Sequence, residues 1–135
     1  MKIMLCSAPD SAGDGVLKVA VDYASCLGAA LHAATCLVGG LEEDRKEIEN
    51  AKKQLKAIES AASEAGVPCE SRLLVEGISP GETLVRHARD GGMDLIVIGI
   101  EKTSKVEKLV FGSTAQFVIL KAPCPVLTVN VAEQS

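Results

Sequence analysis

Residues 94–99 read Asp-Leu-Ile-Val-Ile-Gly, and no other stretch limits the possible folds as sharply. Four consecutive branched apolar side chains would point alternately to both faces of a strand, so both faces need cover. The run is too short for a buried helix and is bounded by Asp94 and Gly99, which favours a central strand of a parallel sheet. Strands of that kind are joined by crossover helices, and the rest of the chain supplies them.

Residues 2–7 form a first continuous apolar run. Residues 14–28 follow a helical period through Val16, Ala20, Ala24 and Leu27, with Gly28 as the end signal. A second strand spans Leu31 to Val38 and stops at Gly39-Gly40. A long polar helix then runs from Glu42 to Ala65, with Ile48, Ala51, Leu55, Ile58 and Ala62 on one face, and Gly66 ends it. Its Glu49 precedes Lys53 by four residues, a pairing suited to a solvated outer surface. The third strand covers Cys69 to Val75. Ser79-Pro80-Gly81-Glu82 forms a capping box with proline at the first helical position, and that helix runs to Arg89. After the strand at 94–99 come a short helix, Thr114 to Lys121, and a last strand, Val126 to Val131, set off by Pro123 and Pro125.

Strand alternating with helix predicts one α/β domain: a doubly wound, five-stranded parallel sheet in the order 3-2-1-4-5. In that order the ends of the first and fourth strands lie side by side, and the crevice between them is the expected ligand site. A chain of 135 residues is long enough to bury such a core without disulfides or metals.

Composition removes several function classes. Aromatic residues make up 2% of the chain and Trp is absent, which leaves no stacking platform for single-stranded nucleic acid. The net charge of −4 disfavours nucleic acid and anionic membrane as partners. No apolar run approaches the roughly 18 residues of a membrane span, and the N-terminus lacks signal-peptide architecture. The five cysteines (Cys6, Cys26, Cys36, Cys69, Cys124) form no Cys-x-x-Cys or Cys/His cluster. They read as reduced thiols of a cytoplasmic protein, with no metal site. His32 and His87 have no nucleophile implied beside them, and neither a Gly-x-Ser-x-Gly elbow nor a Walker A loop occurs. Gly13-Asp14-Gly15 lacks the context of a dinucleotide fingerprint. The reading is a binding protein without catalytic residues.

Two loops carry the candidate site. After the fourth strand, Gly99-Ile100-Glu101-Lys102 leads to Gly112-Ser113-Thr114 at the start of a helix. Free backbone amides and hydroxyls at such a turn suit a phosphate, although Ser113 is equally suited to capping the helix. After the first strand comes Ser7-Ala8-Pro9-Asp10, where Asp10 reads equally as a turn residue. Taken with Ala-Pro-Cys-Pro-Val at 122–126, the segment 94–131 closely resembles the universal stress protein family. Nucleotide-binding members of that family carry Gly-x-x-Gly, nine residues, then Gly-Ser or Gly-Thr.

The resemblance implies a flavodoxin-like, adenine nucleotide alpha hydrolase-like fold and a regulatory role in stress response. It implies ATP or another adenine nucleotide at the first-strand/fourth-strand crevice, with magnesium entering only with the nucleotide. Gly99, Gly112, Ser113 and Thr114 would hold phosphates, while Cys36 and Ile98 line base and ribose beside Ser7. The chain departs from the pattern twice: Lys102 stands at the second glycine, and Ala8 at the aspartate that family members usually place near the adenosine. Lys102, Lys105 and Lys108 offer charge to phosphates instead. The family also implies a homodimer through Val126 to Val131, an edge otherwise covered by the tail at 132–135. The alternative function is a nucleotide-free dimeric protein-interaction module, and slow ATP hydrolysis would be incidental.

Overall fold

The computed structural model describes residues 1–7, 14–37, 44–75, 79–101 and 113–131. Nine elements alternate along them: β1 (Lys2–Ser7), α1 (Asp14–Leu27), β2 (Ala30–Leu37), α2 (Asp44–Glu64), β3 (Cys69–Val75), α3 (Pro80–Asp90), β4 (Leu95–Glu101), α4 (Ser113–Lys121) and β5 (Val126–Val131). The strands form one parallel sheet in the order β3-β2-β1-β4-β5, the doubly wound order expected from the alternation of strands and helices.

The pleat sorts the apolar residues into two layers. Ile3, Leu5, Leu31, Ala33 and Val97 pack with the buried sides of α1 and α2, including Val16, Ala20, Ala24, Leu55, Ile58 and Ala62. Met4, Ala34, Ile96 and Ile98 project to the other face, against Leu84, Val85 and Ala88 of α3 and Ala115 and Val118 of α4. Ile3, Met4, Ile96 and Val97 are wholly excluded from solvent. Burying side chains of this size stabilises by roughly 1.5–3 kcal/mol each, which is why β1 and β4 sit at the centre.

Backbone and side-chain bonds set the register where β1 and β4 begin. The Lys2 amide donates to Asp94 Oδ2 at 2.8 Å, and the Asp94 amide donates back to the Lys2 carbonyl at 2.8 Å. α1 and α2 end at Gly28 and Gly66, whose φ of 62° and 73° lie in the left-handed region where a side chain is strained. At the start of α3, Ser79 Oγ accepts from the Glu82 amide at 3.4 Å, one half of the expected capping box. Ser71 Oγ donates to Glu59 Oε1 at 2.6 Å and ties α2 to β3.

One boundary differs in a way that affects the site. The apolar run predicts a strand ending at Gly99, yet β4 continues to Glu101. The ladder to β5 continues with it, pairing Gly99 with Val129, Ile100 with Asn130 and Glu101 with Val131. Gly99 is therefore a residue within a strand, not the first residue of a turn. A single-strand pattern cannot show this, because the bonds that prolong β4 come from a segment some thirty residues later.

Candidate functional site

The order of the strands reverses between β1 and β4. The chain leaves β1 through α1 toward β2 on one side, and leaves β4 through α4 toward β5 on the other. The two connections diverge, so a crevice opens beyond the carboxyl ends of the two strands. Each helix returns antiparallel to the strands, so the amino ends of α1 and α4 gather at that same end of the sheet. The first-turn amides of α4 have no acceptor within the helix, and the helix dipole adds partial positive charge there.

Ser7 closes β1, is half-buried, and is the ladder partner of Thr35 in β2. Continuing the Cys6–Ile98 register by one residue sets Ser7 beside Gly99, and the pleat puts Thr35, Ser7 and Gly99 on the α1/α2 face. Cys36 and Ile98 belong to the opposite face with Cys6, within the layer under α3 and α4. Cys36 is half-buried, whereas Ile98 is 6% exposed and part of the core. Ser113 opens α4 exposed to solvent, and Thr114 beside it is half-buried. The fold thus gathers Ser7, Cys36, Ile98, Gly99, Ser113 and Thr114 at one end of the sheet, divided between its two faces. Ala8, Lys102 and Gly112 lie outside the described residues, as do Asp10, Lys105 and Lys108.

Sequence reading overlooked Thr35. This residue is completely buried, and its Oγ1 has no hydrogen-bond partner among the described residues. A hydroxyl held in this way sacrifices its hydration without replacement. The signal was available: Thr35 is the lone polar residue in Ala33-Ala34-Thr35-Cys36-Leu37, one position from Cys36.

Three cysteine thiols are held protonated by their surroundings. Burial, reinforced by Cys124 and Cys36, pushes the Cys6 thiol up to about 12. Cys6 keeps some exposed surface, but the density of protein around its sulfur sets the cost of ionising it. Burial also raises Cys124, with Asp94 adding to the effect, and raises Cys69, which neighbours Glu59. These thiols stay protonated at neutral pH and are poor nucleophiles. No three His, Cys, Asp or Glu side chains among the described residues gather into a group able to hold a metal ion. Among those residues no helix is long and apolar enough to cross a membrane.

Comparison with known proteins agrees with this fold. The model of the universal stress protein family matches residues 1–130. A universal stress protein of Archaeoglobus fulgidus superposes with a TM-score of 0.86 at 35% identity, covering 95% of this chain and 97% of that one. A structure of the universal stress protein from the same organism, in complex with dAMP, superposes with a TM-score of 0.78 at 31% identity, covering 95% and 96%. Among curated sequences, a universal stress protein of Thermus aquaticus is 40% identical over 86 residues, which are 61% of this chain and 62% of that protein. The match thus spans less than two thirds of that relative's length.

Proposed function

This chain belongs to the universal stress protein family, and we propose that it is a regulatory module that binds an adenine nucleotide, such as ATP, in the crevice between β1 and β4. The observation that carries this reading is the convergence of Ser7, the end of β4 and the amino end of α4 where the strand order reverses. The Archaeoglobus fulgidus protein in complex with dAMP, 31% identical, supports the choice of an adenine nucleotide.

In this reading Ser113 and Thr114, with Gly112, hold the phosphates through hydroxyls and first-turn amides. Cys36 and Ser7 flank the nucleoside, and Ile98 forms the apolar floor beneath it. Magnesium enters only with the nucleotide. Lys102 stands where the family motif has glycine, and it either hinders a close backbone approach or offers its charge to phosphate. The module is regulatory rather than enzymatic, pairs with a second copy through β5, and works in the cytoplasm, where its five free cysteines remain reduced. Ala8 and Lys102, the two departures from the family motif, favour a second reading: a nucleotide-free dimeric interaction module.

Calorimetry with Mg-ATP and with dAMP, on the full chain and on Ser113→Ala, separates the two. Micromolar binding that weakens about tenfold or more in Ser113→Ala, equivalent to one lost charge-assisted bond, supports the nucleotide site. No heat at millimolar nucleotide would leave the interaction module.

A further inference from the structure

Among the described residues the buried polar side chains are Thr35 in β2 and Thr83 in α3. Thr83 has an interaction partner. A helix supplies one readily, since a threonine there can bond the carbonyl a turn back. β2 lies between β1 and β3, so the strand carbonyls around Thr35 are spent in two ladders. Thr35 Oγ1 has no hydrogen-bond partner among the described residues. A hydroxyl buried in that state weakens the fold, and its presence calls for a reason.

The ladders narrow what could partner it. On the α1/α2 face Thr35 stands between Leu73 of β3 and Ser7 of β1. Leu73 is apolar, and the layer over this face is built from apolar residues such as Val16, Ala20 and Leu55. Ser7 is the hydroxyl that the ladder sets beside Thr35. Neighbouring strands lie about 4.8 Å apart, and across that spacing two hydroxyls can turn to meet, as threonine and serine do in cross-strand pairs.

The two hydroxyls differ in access. Ser7 ends β1 and keeps part of its surface at the crevice, while Thr35 is wholly shielded from solvent. Water competes for Ser7 while the crevice is wet, and a ligand that displaces this water removes the competitor. We propose that Thr35 is a positioning residue that acts through Ser7. When a nucleotide fills the crevice, the Thr35 hydroxyl donates to Ser7 Oγ, and the Ser7 hydroxyl in turn donates to an acceptor atom of the nucleotide. This rests on the nucleotide reading proposed above and adds to it a residue that touches no ligand.

The direction of donation suits the ligand class, because phosphate oxygens, sugar oxygens and ring nitrogens all accept hydrogen bonds. Without nucleotide the hydroxyl of Thr35 stays unsatisfied; with it, the cost is recovered. Binding thus gains from a group that weakens the fold, and two hydroxyls in series polarise one another, which strengthens the outer bond. A threonine that merely filled the core would behave differently. Its removal would leave affinity alone or move stability and affinity in the same direction.

The test measures Mg-ATP binding by calorimetry and urea unfolding on the full chain, for wild type, Thr35→Val, Thr35→Ser, Ser7→Ala and the Thr35→Val/Ser7→Ala double variant. Valine keeps the branched shape. Thr35→Val is expected to raise the urea midpoint and yet weaken Mg-ATP about tenfold, the loss of one hydrogen bond. Thr35→Ser keeps the hydroxyl and should recover most of that affinity. In the Ser7→Ala background Thr35→Val should cost no further affinity, since the group it positions is gone. If wild type binds Mg-ATP but the Thr35→Val loss persists in that background, the positioning role is overturned and the nucleotide site stands. Unchanged affinity in Thr35→Val overturns the role in the same way. So does a lowered midpoint, which would mean that the hydroxyl already has its partner. No heat from wild type at millimolar Mg-ATP overturns the positioning role and the nucleotide reading together.

Discussion

Ser7 and Thr35 are ladder partners at the carboxyl ends of β1 and β2 and share one face of the sheet. Ser7 keeps part of its surface, while Thr35 beside it is fully enclosed with its hydroxyl unpartnered among the described residues. Two hydroxyls side by side, one wet and one dry, mark where the apolar core gives way to the crevice.

Thr35→Val tests whether that hydroxyl is idle. Removing an unsatisfied buried hydroxyl while keeping the branched shape should stabilise the protein by about 1 kcal/mol or more. The urea midpoint of unfolding rises if so. A fall would show that Thr35 has a hydrogen-bond partner in solution, such as a buried water.

Gly81→Ala tests the contact that sets α4 against α3. The new methyl group would sit 2.8 Å from the Phe117 Cβ, a carbon that cannot swing aside without moving α4. The expected destabilisation is about 1–3 kcal/mol by urea unfolding, the range for overpacking. Nucleotide binding should weaken in parallel if the amino end of α4 holds phosphate. Unchanged stability would mean that α4 shifts freely.

The imidazole of His32 stands 3.5 Å from the Glu70 carboxylate across the β2–β3 ladder. Burial nonetheless lowers its pKa below the ordinary value of 6.5; Glu70 pulls it upward, while Lys2 and Arg72 push it down. Below 6.5 the unfolded chain therefore binds more protons at this site than the folded one, and stability falls as pH drops. The loss of melting temperature between pH 7.5 and pH 5, relative to wild type, should shrink in His32→Gln and grow in Glu70→Gln. Equal losses in all three proteins would exclude His32 as a source of the acid sensitivity.

Thiol reactivity should follow burial. Cys26 on α1 is exposed, whereas the Cys6 thiol is pushed up to about 12. Alkylation of the native protein at pH 8, mapped by peptide mass, should label Cys26 first and Cys6 last. Early labelling of Cys6 would mean that α3 or α4 opens readily over it.

Lys102→Gly removes a Cβ and a long side chain where the family motif has glycine. Tighter Mg-ATP binding by calorimetry is expected if close backbone approach governs affinity. Weaker binding would show instead that the ammonium group itself grips phosphate.

The sequence alone carried the order of elements and the two faces of the sheet, which follow from local periodicity, and the strand order 3-2-1-4-5, which follows from the doubly wound arrangement that alternating strands and helices adopt. Gly28 and Gly66 mark helix ends in the letters as plainly as in the fold. It also carried the family, through Gly99, Gly112-Ser113 and the Pro-Cys-Pro approach to β5. What it could not carry depends on partners brought from far along the chain. β4 runs past Gly99 because β5 supplies hydrogen bonds there. Ile98 is buried because α3 and α4 pack over its face of the sheet. Thr35 is dry because neighbours on both sides enclose it. Periodicity is a property of neighbours in sequence; burial, and with it the making of a site or an interface, is a property of neighbours in space.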